Sequence, residues 1–224
     1  MDTAQRTPTP ADLETISRQL GRPARDVVEI GARCICGNPL VATTAPRLGN
    51  GIPFPTTFYL THPVITSAVS RLEAAGVMTE MTERLERDEQ LAAAYRRAHD
   101  AYLRSRDEIG QRTGVGAVPE IAGVSAGGMP SRVKCLHVLV GHSLAAGRGV
   151  NPLGDEALDG IAEWWTTDRC YCRGAWDESG PVPDRDLSRH TKTQGLSPEE
   201  LEAKRAERRA ARDAGQDAGE EGLS

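Results

Sequence analysis

Hydrophobic positions are patterned differently in two parts of the chain, and the strand-like part comes first. Residues 26–62 contain three β-branched stretches, DVVEIGARC, NPLVATTAPRL and FPTTFYLTH, separated by turn-forming residues. The dipeptide Asn50-Gly51 is typical of a tight turn, and the prolines in this region keep strands short or at an edge. The pattern predicts a small antiparallel sheet of about three strands.

From residue 63 onward apolar residues recur every three or four positions, which is the spacing of one helix face. In EQLAAAYRRAHDAYLRSRDEIG the aligned residues are Leu91, Tyr95, Ala98 and Tyr102. His99 falls on the charged flank of this segment, so we expect it at the surface. A short helix, PADLETISRQLG with Asp12 as its cap, precedes the sheet, and residues 131–147 also form one predicted helix. The chain therefore predicts an α+β fold, with the sheet packed against four to five helices.

Composition sets the expected domain boundaries. Residues 1–11 are rich in Pro and Thr and are predicted to be flexible, and residues 12–175 carry the apolar patterns of one globular α+β domain. Residues 176–224 shift to charge, Gly, Pro, Ser and Ala, which predicts a disordered tail. Within that tail, residues 197–213 begin with a capping box at Ser197 and predict a transient helix.

Charge and hydropathy narrow the classes of function. The 224 residues carry a net charge of −5, which disfavours a protein that binds nucleic acid by bulk attraction to phosphate. No apolar run approaches the roughly 20 residues that a membrane-spanning helix needs. The N-terminal residues also lack the charged-then-apolar pattern of a signal peptide. We therefore expect a cytoplasmic protein without a membrane span.

The chemistry-bearing residues are five cysteines: Cys34, Cys36, Cys135, Cys170 and Cys172. An odd number in a chain without a signal peptide argues against a disulfide framework. Metal binding, redox chemistry and plain burial of thiols stay open, and the two Cys-x-Cys pairs favour metal. Thiolate and imidazole ligands together favour zinc, with an iron–sulfur cluster on four thiolates as the less favoured cofactor.

The segment SRVKCLHVLVGHSLAAG, residues 131–147, carries one of these cysteines and two histidines. On a helix, His137 would be rotated about 200° from Cys135, and His142 would share its face but lie roughly 10 Å away. The segment therefore contributes one metal ligand, Cys135, and we expect His142 to be a hydrogen-bonded core residue. The metal site expected from all segments comprises Cys34, His62, Cys135 and Cys172, with Cys170 as the alternate.

The loop before this segment suggests a second type of site. Residues 123–131 are glycine-rich and lead to Ser131, Arg132 and Lys134, where two cations and a helix N-terminus would form an anion pocket. The loop matches neither a Walker A sequence nor a dinucleotide fingerprint, and a flexible loop with Ser131 as a simple helix cap is the alternative. His137 and Lys134 are the candidate catalytic residues, with His137 as a general acid or base.

Several segments together resemble one bacterial family. ISRQLGRPARDVVEIGARCICGNP, PFPTTFYLTHP, SAVSRLEAAGVMTEMTERL, VKCLH and NPLGDE are similar to the domain of unknown function 501 family, common in actinobacteria, over residues 12–172. The resemblance implies that Cys34, Cys135, His137 and the C-terminal cysteines occupy characteristic positions. It also implies that His62 stands where LTHP usually reads Leu-Thr-Cys-Pro, which favours zinc over a four-thiolate cluster. Its usual gene neighbours, a septum-formation initiator and an exopolyphosphatase, imply a link to cell division or phosphate metabolism.

Two classes of function follow. The leading prediction is an accessory or binding protein with a Cys/His metal site, for which the family resemblance implies a link to cell division or phosphate metabolism and a cell-division protein as one candidate partner. The alternative is an enzyme that acts on a phosphorylated or otherwise anionic small molecule, held by the loop and helix of residues 123–137. Redox switching through the Cys-x-Cys pairs is a third hypothesis.

Overall fold

The computed structural model describes residues 6–184, and it has the predicted α+β architecture. The elements in chain order are α1 (Pro10–Leu20), β1 (Val27–Arg33), β2 (Pro39–Thr44), β3 (Phe58–Leu60), α2 (Pro63–Ala74), α3 (Val77–Arg87), α4 (Glu89–Arg112), a short 3-10 helix (Pro119–Ile121), α5 (Leu136–Ala146) and α6 (Pro152–Gly160). These six α-helices in the described part of the chain compare with four to five expected. No helix within residues 6–184 is long and apolar enough to cross a membrane.

Both predicted termini extend beyond the described residues. Residues 1–5 of the predicted flexible N-terminus lie outside them, as do residues 185–224 of the tail with the helix predicted at 197–213. The first helix begins at Pro10, within the segment expected to be flexible. Its cap is Thr9 rather than Asp12, because the Thr9 hydroxyl accepts from the Asp12 N–H while the Asp12 carboxylate accepts from the Thr9 N–H.

The three strands form an antiparallel meander in the order β1-β2-β3, as predicted. All six residues of β2 are buried because both faces of the sheet are covered. On one face, Ile30 and Ala42 pack against Ile16 of α1. On the other face the sheet joins the main core of the protein, in which the α5 residues Leu136 and Leu139 are fully buried.

Helix α5 lies against the edge strand and against α6, and both contacts require glycine. A Cβ atom on Gly141 would lie 2.8 Å from the carbonyl oxygen of Phe58 in β3. A Cβ atom on Gly154 of α6 would overlap the carbonyl group of Leu139. Any larger residue at these two positions would therefore push α5 away from its neighbours.

The helix predicted over residues 131–147 begins only at Leu136, so the prediction of its start was wrong. The backbone N–H of Val133 donates to Thr82 Oγ1 (3.0 Å), and that of Lys134 donates to the carbonyl oxygen of Gly127 (2.7 Å). Both groups thus bind other segments instead of carbonyls four residues earlier. Cys135 precedes the helix in extended backbone, with φ −158° and ψ 112°.

Two histidines, His142 and His99, are buried in the protein and have side-chain hydrogen-bond partners. His142 is fully buried as expected, with Nδ1 3.3 Å from Asn151 Nδ2, and burial lowers its pKa to about 4. His99 was expected at the surface, and this was wrong. Its ring is buried with Nδ1 2.9 Å from Ser125 Oγ, because the glycine-rich loop covers that flank of α4.

Candidate metal centre

Four of the five cysteines meet in one group, which we call the four-cysteine group. Cys34 directly follows β1, Cys36 lies in the turn toward β2, and Cys170 and Cys172 lie in the segment after α6. Their Sγ atoms are all within 4.8 Å of one another, with 3.4 Å between those of Cys36 and Cys172. An ion bound tetrahedrally at about 2.3 Å from each sulfur would hold the sulfurs roughly 3.8 Å apart. The spacing therefore fits one metal ion.

Each cysteine pair has a backbone suited to chelation. Cys34 and Cys36 are the first and third residues of a four-residue turn, which brings their sulfurs together while Ile35 between them stays exposed. A glycine with positive φ then turns each chain away, Gly37 at +94° and Gly174 at +72°. The first turn is closed by hydrogen bonds between Cys34 and Asn38 and between Gly37 and Cys34, both 2.8 Å long.

The four thiols differ in burial and in hydrogen bonding, and these differences raise the pKa of some thiols and lower that of another. Cys34 and Cys172 are buried, and burial raises the pKa of both thiols, whereas Cys36 and Cys170 are exposed. The backbone N–H of Cys172 donates to the Cys170 sulfur and lowers its pKa. The Asn38 side chain lowers the pKa of Cys172 in the same way, against the larger effect of burial. A cation among the sulfurs would supply the positive charge that the buried thiolates lack.

His62 lies beside this group. Its ring is fully buried, with Nε2 3.5 Å from Cys172 Sγ and the ring edge against Trp176 at a centroid distance of 5.7 Å. Burial lowers the pKa of His62 to about 4, so the ring is neutral at pH 7. Protonated on Nε2, it can donate to a Cys172 thiolate. The structure thus brings His62 into contact with one ligand but leaves it outside the four converging sulfurs.

Cys135 belongs to a different group, which we call the three-residue group, with Glu73 and His137. Its Sγ is 3.9 Å from His137 Nδ1, and the same nitrogen is 3.1 Å from Glu73 Oε1. All three ligand atoms lie within 4.8 Å of one another. The prediction that Cys135 and His137 face opposite ways was wrong, because Cys135 precedes the helix and does not follow its rotation.

Helix α2 fixes this group from one face. Thr66, Ser70 and Glu73 are four and three residues apart, so they line the side of α2 that faces α5. His137 Nε2 is 3.1 Å from the Thr66 carbonyl oxygen and 3.4 Å from Ser70 Oγ. Glu73 Oε1 also accepts from the backbone N–H of Leu136 at 2.7 Å, which satisfies a free amide at the start of α5. Both ring nitrogens of His137 are therefore held in fixed positions.

The charge state of His137 follows from these partners. The hydrogen bond with Cys135 and the hydrogen bond and charge of Glu73 outweigh burial and raise its pKa to about 9. The ring is then a cation at neutral pH. Its Nδ1 points at a thiol and a carboxylate, and a metal ion could replace the proton that this nitrogen carries.

A cavity of about 450 Å³ opens beside the three-residue group. Cys135 and His137 line it, together with Gln19 of α1 and residues of β3 and its flanks such as Leu60 and Thr61. No Lys or Arg contributes to its wall in the part of the chain described. The cavity is therefore neutral and partly apolar apart from the group itself.

The residues of the predicted anion pocket lie elsewhere. Ser131, Arg132 and Lys134 are exposed, and none of them lines the cavity that His137 lines. Ser131 does not cap α5, which begins at Leu136 with Glu73 on its first free amide. The anion-binding role of these three residues, and a catalytic role of Lys134 with His137, stay predictions.

Sequence reasoning missed one member of each group. Cys36 was set aside although Cys34-Ile35-Cys36 and Cys170-Tyr171-Cys172 have the same form, each followed by a glycine within two residues. That symmetry was the available signal. The sequence gives no comparable signal for Glu73, because a charged residue near the end of a helix is typical of a solvated surface. Only the packing of α2 on α5 brings it to His137.

Comparison with known proteins identifies a family without an assigned activity. The family model described as "Protein of unknown function (DUF501)" matches residues 30–159, a narrower span than the resemblance suggested. The match includes the whole three-residue group and Cys34 and Cys36, and it ends before Cys170 and Cys172. No curated protein and no solved structure matches the chain. Because the matched segment covers more than half of the 224 residues, the chain belongs to the DUF501 family.

Proposed function

We propose that this protein is a metal-binding protein whose two cysteine pairs together hold one zinc ion. The observation that carries the proposal is the convergence of four sulfurs within 4.8 Å from two segments of the chain. The Sγ atoms of Cys36 and Cys172 lie 3.4 Å apart although the two residues are 136 positions apart in sequence. The convergence of four thiols from distant segments is typical of a shared metal ion or of disulfide bonds.

The spacing of the sulfurs favours one ion over a cluster. An iron–sulfur cluster distributes its four thiolates over several iron atoms and holds them farther apart than one tetrahedral ion does. Among single ions, a closed set of four thiolates is typical of structural zinc. Zinc is therefore the metal that we propose, with mononuclear iron as the competing occupant.

The ion would have a structural role. The described residues after α6, from 161 to 184, form turns and bends without a helix or strand, so few backbone hydrogen bonds hold them. Arg18 of α1 donates to the carbonyl oxygens of Asp177 and Gly180, which is one of the contacts that fasten this segment. A zinc ion on Cys170 and Cys172 would join the segment to the turn after β1 and supply folding free energy.

We place this protein in the cytoplasm, where thiols stay reduced and are free to bind metal. We propose the role of an accessory or binding protein linked to cell division or phosphate metabolism, a context supported by the family resemblance alone. An enzyme that holds an anionic substrate with Arg132 and Lys134 is supported less, because these side chains and His137 do not share a cavity.

Metal analysis of the purified full chain tests the proposal. We expect the double variant Cys34→Ser/Cys172→Ser to contain one equivalent of zinc less than the wild-type protein. The control is Cys135→Ser, which removes the one cysteine outside the four-cysteine group and should keep the zinc of that group. Titration of thiols under denaturing conditions should find all five cysteines reduced.

Two results would overturn the proposal. One is an unchanged zinc content in the double variant. The other is a wild-type protein in which the denatured chain exposes only one free thiol, since the four converging sulfurs would then form two disulfides instead of a metal site.

A further inference from the structure

We propose that Glu73, Cys135 and His137 form a second metal site, with an open coordination position that faces the cavity between α1, β3 and α5. The four-cysteine group lies elsewhere and shares no residue with it. Each of the two proposed sites can therefore be tested independently of the other.

The donor atoms of the three-residue group already have the spacing of a coordination sphere. With metal bonds of about 2.0 to 2.3 Å, tetrahedral geometry separates a nitrogen and an oxygen ligand by roughly 3.3 Å, and a sulfur and a nitrogen ligand by roughly 3.6 Å. The observed separations are 3.1 Å between His137 Nδ1 and Glu73 Oε1 and 3.9 Å between that nitrogen and Cys135 Sγ. The third pair, Cys135 Sγ and the Glu73 carboxylate, lies within 4.8 Å, so movements of about 1 Å or less at each atom would complete the geometry.

The surroundings of these atoms are those of metal ligands. A histidine that binds metal through one ring nitrogen usually donates its other N–H to a carbonyl or carboxylate oxygen. His137 Nε2 faces the Thr66 carbonyl oxygen at 3.1 Å, so Nδ1 is the nitrogen left for a metal. The carboxylate of Glu73 is held in turn by the Leu136 N–H. An ordinary ion pair between His137 and Glu73 would explain one of these contacts but leave the converging thiol of Cys135 without a role.

The second site has three protein ligands and one open coordination position, whereas the four-cysteine group supplies all four ligands. Three protein ligands with a free position are typical of catalytic zinc, whereas four protein ligands are typical of structural zinc. Cys135 and His137 line the cavity and Glu73 does not, so an ion would have Glu73 behind it and the cavity in front. The fourth position is thus directed at the space where a small molecule fits.

The cavity walls indicate the class of ligand. Leu60 and Val138 supply apolar surface, Gln19, Thr61 and Thr66 supply neutral polar groups, and no described Lys or Arg is present to bind a free anion. The ligand that fits is a small, uncharged and partly apolar molecule with a carbonyl or hydroxyl oxygen. Such an oxygen would occupy the open position, where a metal ion polarises it.

Metal titration of the full chain, stripped with chelator and reduced, tests the second site. We expect cobalt(II) to bind in two equivalents to the wild type and in one to Cys135→Ser and to His137→Gln. The matched control is Ser67→Ala, an exposed residue of the same helix α2 that is not a proposed ligand, which should keep both equivalents. Azide should perturb the visible absorption of the cobalt that Cys135→Ser loses, because that ion alone has an open position.

The outcomes separate the two sites. If Cys135→Ser and His137→Gln each bind as much cobalt as the wild type, the second site is refuted and the group is an ion pair beside a thiol. The same conclusion follows if the wild type binds one equivalent that is lost in Cys34→Ser/Cys172→Ser. If the wild type instead binds one equivalent that is lost in Cys135→Ser, the second site stands and the four-cysteine proposal fails.

Discussion

The four-cysteine group and the three-residue group use similar residue types in opposite settings. The first draws only sulfur ligands from two irregular segments, a turn after β1 and the stretch beyond α6. The second draws sulfur, nitrogen and oxygen atoms from the packed pair α2 and α5 and opens on a cavity. A site enclosed by its own four sulfurs leaves no position for a substrate, whereas a site with three donors beside a cavity does. We propose that this difference separates a structural site from a reactive one.

The two groups also depend differently on a bound ion. Ile65 and Val69 of α2 belong to the same buried core as Leu136 and Leu139 of α5, so helix packing holds the three-residue group in place. The segments of the four-cysteine group have little regular structure beside the β1–β2 hairpin. A bound ion would be the main link between their sulfurs across the two segments. We therefore expect metal removal to affect stability mainly through the four-cysteine group.

The largest effect should come from removing that ion. Chelator should lower the melting temperature of the wild type by about 10 °C, which corresponds to about 4 kcal/mol, the stabilisation that a ligand at a thousand times its Kd provides. Cys135→Ser should respond to chelator in nearly the same way. Cys34→Ser/Cys172→Ser should melt at the lower temperature from the start and change little on chelation. If calorimetry shows the same chelator-induced change in melting temperature for all three proteins, the two groups do not differ in how much a bound ion stabilises the fold.

The next effect concerns the close contact of α5 with β3, which positions one wall of the cavity. Gly141→Ala should reduce the free energy of unfolding by about 1 to 3 kcal/mol, because its Cβ would lie 2.8 Å from the Phe58 carbonyl oxygen. Zinc in the four-cysteine group should be unaffected. The matched control is Gly160→Ala, whose Cβ would approach only the end of the Leu72 side chain, at 3.2 Å. Denaturant unfolding that shows equal losses in the two variants would contradict the close approach.

A smaller effect should show whether His62 binds the zinc ion itself or only donates a hydrogen bond to the ligand Cys172. We expect His62→Gln to weaken zinc binding by the four-cysteine group about tenfold, because a hydrogen bond to the Cys172 sulfur orients that ligand. Competition with a chromophoric chelator measures the change. Loss of a full equivalent of zinc would instead make His62 a ligand itself, as the sequence predicted. Ser70→Ala, beside the other group, should leave this affinity unchanged.

The sequence predicted the local elements better than the sites because the elements depend on nearby residues. The three strands and the long helix α4 follow from patterns within each segment. The error over Cys135 came from one boundary: the backbone of residues 133 and 134 binds other segments, so α5 starts late. Glu73 could not be found at all, because its role depends on how α2 packs against a helix more than 60 residues away. The two cysteine pairs were visible, but which sulfurs meet depends on the tertiary fold.

The smallest effect concerns the contact that holds α1 on the turn of the four-cysteine group. Arg33, the residue before Cys34, donates to both carboxylate oxygens of Asp12, at 2.6 and 2.9 Å, and to the carbonyl oxygen of Gly37 at 2.9 Å. The hydrogen bond from Arg33 lowers the pKa of Asp12 to about 2, from an ordinary value of 3.8. The ionised carboxylate therefore adds stability in full above about pH 4, and this contribution is lost as the pH falls toward 2.

Asp12→Asn should then reduce the free energy of unfolding by about 1 kcal/mol at pH 7, a modest value because the pair is partly exposed. The difference between wild type and variant should shrink as the pH falls below about 4. Denaturant unfolding of both chelated proteins measures it, since chelation removes the separate effect of acid on metal binding. A difference that stays constant down to the lowest pH at which both proteins fold would show that Asp12 acts through its Thr9 cap and not through its charge. The charge of Asp12 would then contribute nothing to holding α1 on the turn that carries Cys34 and Cys36, whereas the hydrogen bonds from Arg18 to Gly180 and from Gln19 to Pro39 would still join α1 to the neighbouring segments.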